Sequence, residues 1–151
     1  MIDNIKNNPT SRRIMTNIYT FQDLNEMHLY PCAYSMTFNV SGNVLNGILN
    51  QRSNDVLTAN NWNVVQYAVL VHMLAQVCDM KVGELVHVIA DAHIYDRHLP
   101  LVKELIEREQ FPAPKVVLNP DIKDFYDFTP DDVRLDDYET GPQIKNIPIA
   151  V

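Results

Sequence analysis

Glycine is scarce in this chain, with four residues in 151. Little is therefore available for the loops in which a bare backbone closes around phosphate. Neither a Gly-x-Gly-x-x-Gly run nor a phosphate loop ending in Lys-Ser/Thr occurs, so dinucleotide and ATP folds lack support. Cysteine is scarcer still: Cys32 and Cys78 do not make a disulfide framework, and a reducing cytoplasm is the expected home. Positive charge is short too. The net charge of −7 argues against non-specific nucleic-acid binding, which needs a basic surface to displace counterions. A small anion held by a local cluster remains open, and Arg12, Arg13 and Arg52 are the candidates.

Long hydrophobic runs are missing as well. The longest apolar stretch, Trp62 to Cys78, is interrupted by Asn63, Gln66, His72 and Gln76, which is too short and too polar to span a bilayer. Met1 leads at once into Asp3, Asn4, Lys6, Asn7 and Asn8, unlike a signal peptide. No metal site is expected: there is no His-Glu-x-x-His and no Cys-x-x-Cys, and the spacing from His93 to His98 matches no standard pattern.

What is present suits one globular domain with a real core, at 46% apolar and 21% charged residues and without repeats or a flexible linker. Ile2 to Asn7 reads as a helix stopped at Asn8-Pro9, Arg13 to Tyr19 as a strand, and Phe21 to Met27 as a short helix. Ala33 to Val40 and Val44 to Arg52 form a hairpin across Ser41-Gly42-Asn43. Trp62 to Cys78, apolar on nearly all sides, is expected to be a helix buried between layers, with Cys78 in the core. Gly83 to Tyr95 alternates as a strand whose polar face carries Asp91, His93 and Tyr95 together. Leu99 to Glu109 is an amphipathic helix; Lys115 to Leu118 and Val133 to Tyr138 are further strands. Mixed elements without strict alternation give an α+β fold.

Chemistry concentrates in a few places. Cys32 follows Pro31 at a strand edge, where it is either a small buried hydrophobe or, beside arginine cations, a nucleophilic thiolate. Arg52, Ser53 and Asp55 stand where the second hairpin strand runs out. They form either a solvated strand end or an anion grip, with Asp55 kept ionised by the nearby cations. His93 and Tyr95 are ordinary half-buried strand residues or two tips suited to a sugar hydroxyl.

The run Ile5-Lys6-Asn7-Asn8-Pro9-Thr10-Ser11-Arg12-Arg13, then Pro31-Cys32, Gln51-Arg52-Ser53-Asn54-Asp55, Asn63, Asp91-Ala92-His93-Ile94-Tyr95, Arg108-Glu109-Gln110-Phe111 and the terminal Ile149-Ala150-Val151 together resemble thymidylate synthase. That is the folate-dependent family that methylates dUMP. The resemblance implies that Cys32 adds to carbon 6 of the uracil ring and activates carbon 5. That carbon takes a one-carbon unit from the co-substrate 5,10-methylenetetrahydrofolate. It further implies that Arg52, Ser53 and Asn54 serve the dUMP site, the first two at its phosphate. Arg12 and Arg13 would reach the partner's phosphate across a two-fold homodimer interface. Asp55 would touch nucleotide and folate, Asn63 would read the uracil edge, and His93 and Tyr95 would hold the deoxyribose hydroxyl. Ala150 and Val151 would belong to a C-terminal flap that closes on reduced folate.

Three positions depart from the family's pattern: Ala33 for a histidine, and Ala59 and Ala90 for glycines. The family's N-terminal portion, with its catalytic glutamate, another arginine and folate-site tryptophans, has no counterpart that can be assigned in the chain. Poor turnover by the chain alone is therefore expected. A catalytically dead nucleotide-binding or dimerisation remnant is the alternative. The related enzyme that hydroxymethylates dCMP is disfavoured, because an acidic residue is expected at the base-reading position and Asn63 stands there.

Overall fold

The computed structural model describes residues 1–149. Helix α1 (Ile2–Asn7) and a short strand β1 (Met15–Asn17) precede the hairpin of β2 (Ala33–Ser41) and β3 (Val44–Gln51). Gly42, at φ +62°, takes the left-handed turn conformation that costs glycine least. A two-residue strand β4 (Asn54–Asp55) leads into helix α2 (Asn60–Val77), which crosses over to β5 (Lys81–Ile89). The order in the main sheet is β1-β2-β3-β5, antiparallel except for the β3–β5 pair that the crossover makes parallel. Strand β6 (Ala92–His93), helix α3 (Leu99–Glu107) and the antiparallel pair β7 (Lys115–Leu118) and β8 (Val133–Asp136) complete the chain. The mixed sheet with packed helices is the α+β class that the sequence implies.

Strand alternation builds the core. Met36, Phe38, Leu45 and Leu49 are buried on one face of the sheet against Val71, Leu74 and Ala75 of α2, and Ile5 and Ile14 join them. Gly47 lets the helix come close: a Cβ there would meet Met36 Cε at 2.8 Å and Val71 Cγ2 at 3.1 Å. Gln76 on α2 donates to the carbonyls of Asn119 (2.8 Å) and Ile122 (3.0 Å), fastening the β7–β8 connection to the helix.

Several elements differ from the expectation, some for a local reason and some through partners distant in sequence. The strand expected over 13–19 is only Met15–Asn17, because the Asn17 side chain accepts the Tyr19 N–H at 2.7 Å and turns the chain. Instead of a helix over 21–27 there is one 3-10 turn, Leu24–Glu26, with no buried residue to anchor more. The strand expected over 83–95 breaks after Ile89. There the Ala90 N–H donates to the Gln51 carbonyl (3.0 Å), and pairing resumes as β6 against β4. Helix α2 begins two residues early, and its first turns are not buried: Trp62 is 78% exposed. Helix α3 stops at Glu107, where Arg108 turns extended and donates to the Pro142 carbonyl (2.6 Å). The last strand ends at Asp136, since Asp137 adopts φ +59°.

Candidate functional site

The site is assembled at the end of the hairpin. The β2–β3 register sets Ala33 opposite Gln51, which puts Cys32 beside Arg52, and the Arg52 N–H donates to the Cys32 carbonyl at 2.9 Å. The Arg52 guanidinium bends back over the segment before the cysteine. Its Nε donates to the Pro31 carbonyl (3.3 Å) and its Nη2 to the Tyr30 carbonyl (2.7 Å). Tyr19 Oη donates to the same Pro31 carbonyl at 2.9 Å, so the approach to Cys32 is fixed from two sides. Cys32 is half-buried. Cys78 is buried in the core as expected, and that burial, aided by Asp79 and opposed by Lys6, pushes its thiol above the ordinary 9.0.

After Arg52 the chain zips to the residues beyond β5. The Asn54 N–H donates to the Asp91 carbonyl (2.8 Å) and the Val56 N–H to that of His93 (3.0 Å), so Asp55 and His93 become strand partners. The Asp55 carboxylate accepts from the N–H groups of Leu57 (3.0 Å) and Thr58 (3.3 Å) and from the Thr58 hydroxyl (2.5 Å). Burial alone would raise this carboxyl. The hydrogen bonds from Thr58 and Leu57 and the charge of His98 outweigh it and hold the group below its ordinary 3.8. The polar tips expected on one strand face do stay together although the strand breaks. His93 Nδ1 is 3.4 Å from Asp91 Oδ1, and its ring meets Tyr95 edge-on, with centroids 5.1 Å apart.

Asn63, in the first turn of α2, accepts at Oδ1 from Gln51 Nε2 (2.8 Å), and Gln51 Nε2 also donates to the Ser53 carbonyl (2.7 Å). Asn54 is 1% exposed; its Nδ2 reaches Asn60 Oδ1 at 3.3 Å, while its buried Oδ1 has no partner among the described residues. Cys32, Arg52, Ser53, Asp55, Asn63, His93 and Tyr95 are thus linked through β3, β4 and β6. Arg12 and Arg13 are not among them: they line a polar pocket with Asn4, Asn8, Thr10 and Ser11. Ala150 and Val151, expected to belong to a flap, lie outside the described residues. The chain leading to them is held at its carbonyls, Ile149 by Arg97 Nη1 (2.6 Å) and Pro148 by His98 Nε2 (2.8 Å).

Sequence reasoning missed Gln51, His87, Arg97 and His98 as parts of this arrangement. The first carried a signal. Gln51 falls on the same strand parity as Leu45 and Leu49, so a polar side chain had to be buried and satisfied there. Of the two alanines standing for glycine, Ala59 has φ −112°, and Ala90 is not among the positive-φ residues. Neither strains the backbone.

The thymidylate synthase family model matches residues 1–151. The chain is 43% identical over 145 residues to a thymidylate synthase of Bacillus mojavensis, an alignment covering 96% of this chain and 52% of that protein. It is 44% identical over 147 residues to one of Clostridium beijerinckii, covering 96% and 56%. Among solved structures, thermostable thymidylate synthase A from Bacillus subtilis superposes with a TM-score of 0.92 at 41% identity, covering 97% of this chain and 53% of that one. The chain thus spans about half the length of these relatives. With the family model covering every residue, the chain belongs to the thymidylate synthase family.

Proposed function

We propose that this chain forms the nucleotide side of a site that converts dUMP and 5,10-methylenetetrahydrofolate to dTMP and dihydrofolate. The observation that carries the reading is the hairpin register that sets Cys32 beside Arg52 while the same strand end holds Asn63 and Asp55. Cys32 would add its sulfur to carbon 6 of the uracil ring, leaving carbon 5 electron-rich enough to attack the methylene group of the folate. Carbon 5 then gives up its proton, and the folate nitrogen leaves the methylene carbon. Hydride from the resulting tetrahydrofolate completes the methyl group, and the Cys32 thiolate is expelled from carbon 6. Arg52 and Ser53 would take the phosphate, His93 and Tyr95 the deoxyribose hydroxyl, and Asn63 the edge of the base. Asn54 is buried and would act by holding the turn. Asp55 would sit between nucleotide and folate. Beside it, Leu57, Thr58, Trp62, Tyr138, Ile144 and Ile147 line an open groove of about 560 Å³, which suits a flat heteroaromatic ring. Ala150 would close over that ring.

A homodimer is part of the proposal. The sheet face opposite α2 carries exposed Met15 on β1 and exposed Val86 and Val88 on β5, and Arg12 and Arg13 line a pocket of their own. A two-fold axis on that face would let the arginine pair serve the partner's phosphate. The second reading is nucleotide binding without turnover, which the departure from the family's pattern at Ala33, beside Cys32, favours. Tritium release from 5-tritiated dUMP with the folate separates the two. Release that is lost in Cys32→Ser supports the reaction. Calorimetric binding of dUMP without release supports the second reading, and absence of binding refutes both.

A further inference from the structure

Beyond β8 the chain runs from Tyr138 to Ile149 without helix or strand. Among the described residues, none of the N–H groups of 140–149 donates to a backbone carbonyl. This strap nevertheless forms a wall of the groove beside Asp55, with Tyr138, Pro142, Ile144 and Ile147 across from Leu57 and Trp62. With no ladder of its own, its position depends on groups that reach it from outside. Three side chains do so, all donating to strap carbonyls: Arg108 Nη1 to Pro142 (2.6 Å), His98 Nε2 to Pro148 (2.8 Å) and Arg97 Nη1 to Ile149 (2.6 Å). Arg97 and His98 stand in the 3-10 turn Asp96–His98 that leads into α3, and Arg108 ends that helix. One rigid element thus grips the strap from both of its ends. His98 is the most telling of the three, being 1% exposed. A backbone carbonyl can only accept, so Nε2 carries the proton in this contact. Its Nδ1 is buried with no partner among the described residues, an arrangement that packing alone would not favour over an apolar ring. On its other side the imidazole meets Tyr95 edge-on, with centroids 5.6 Å apart.

We propose that His98, with Arg97 and Arg108, positions the strap as a preformed wall of the folate groove. The inference rests on the reading of that groove as the folate site given above. A loose wall would have to be ordered when a flat ring binds, and the freedom lost would be subtracted from affinity. Donors fixed at the ends of a helix do that ordering before the ligand arrives. The strap suits such a grip. Pro142 and Pro148 have no N–H to offer a neighbouring strand, while their carbonyls remain free to accept. The grip also leaves the strap's own side chains free to face the ligand. Arg52 and Ser53 stand at the end of β3 and Asn63 in α2, so the nucleotide contacts proposed for them do not pass through the strap. Co-substrate affinity should therefore depend on the three donors, and nucleotide affinity should not. None of the three touches the reacting atoms, and their role is positioning.

The test follows trypsin cleavage after Lys145, the strap's one lysine and an exposed one, by mass spectrometry of the ligand-free chain. Cleavage requires the strap to leave its place, so its rate tracks the released population. Calorimetric titrations with dUMP, and with 5,10-methylenetetrahydrofolate at saturating dUMP, accompany it. His98→Phe keeps a ring against Tyr95 but removes the donor. It should speed cleavage about tenfold and weaken folate binding about tenfold, with dUMP binding within about twofold of wild type. His98→Gln restores an N–H donor and should recover most of both losses, which a ring needed only for packing would not allow. Arg97→Met, at an exposed position, should show the same pattern at about threefold. It carries the test if a His98 variant fails to fold. An unchanged cleavage rate in His98→Phe, or equal losses of dUMP and folate binding, overturns the inference while leaving the groove's reading intact. A wild-type chain that binds dUMP but no folate, with His98→Phe still freeing the strap, overturns the folate reading of the groove and the inference with it.

Discussion

The two faces of the main sheet are made from the same strands, residue by residue in alternation, yet they differ in what covers them. On one face Met36, Leu45 and Leu49 are fully buried under Leu74 and Ala75 of α2. On the other, Met15 stays 53% exposed and Val86 and Val88 each 48%. Both faces carry apolar side chains, but only one is covered within the chain. The covered face carries the stability of the fold, and the open face is where the proposed dimer would form. The site stands where the covered face runs out, at Gln51 and Arg52, and so inherits its rigidity from the core.

That contrast can be broken most severely on the covered side. Leu74→Ala removes a fully buried side chain and should cost about 2–5 kcal/mol, read as a lower midpoint in urea denaturation. Asp55→Ala deletes three hydrogen bonds in the turn that starts α2, on a partly exposed group, and should cost about 1–2 kcal/mol in the same experiment. Because the folded state holds the Asp55 carboxyl below 3.8, its contribution is complete above that pH. It is lost as pH falls through the lower folded value; Asp55→Ala should flatten that part of the acid limb. Val86→Lys on the open face should change monomer stability by no more than about 0.5 kcal/mol while abolishing self-association in sedimentation. Unchanged sedimentation would place any dimer elsewhere. The gentlest comparison needs no substitution: an aromatic disulfide reagent should label half-buried Cys32 in the native protein. Cys78, with its thiol pushed up by burial, should react only on unfolding.

Much of the fold could be read along the chain because its signals are local. The Ser41-Gly42-Asn43 turn, the hairpin strands and helix α1 lie where turn chemistry and alternation put them. The largest misjudgements depended on partners distant in sequence. Nothing near residue 89 says that the strand must break. The break follows from the Gln51 carbonyl taking the Ala90 N–H and from β4 taking β6 as its partner. Likewise, the apolar circumference of α2 predicted burial all round, whereas exposure of Trp62 depends on which other surfaces are present.

The sequence by itself determined the residue chemistry: a thiol, arginines, a carboxylate and an amide in an order shared with one enzyme family, and the strand parity that buries Gln51. Only the tertiary structure decided which atoms of those groups are already committed. It turned the Arg52 guanidinium to the carbonyls of Tyr30 and Pro31, kept Arg12 and Arg13 apart from Cys32, and oriented Asn63 through Gln51. Hydrogen-bond direction depends on angles and distances between segments far apart along the chain. Composition and spacing carry no record of those, so they became fixed only when the sheet closed.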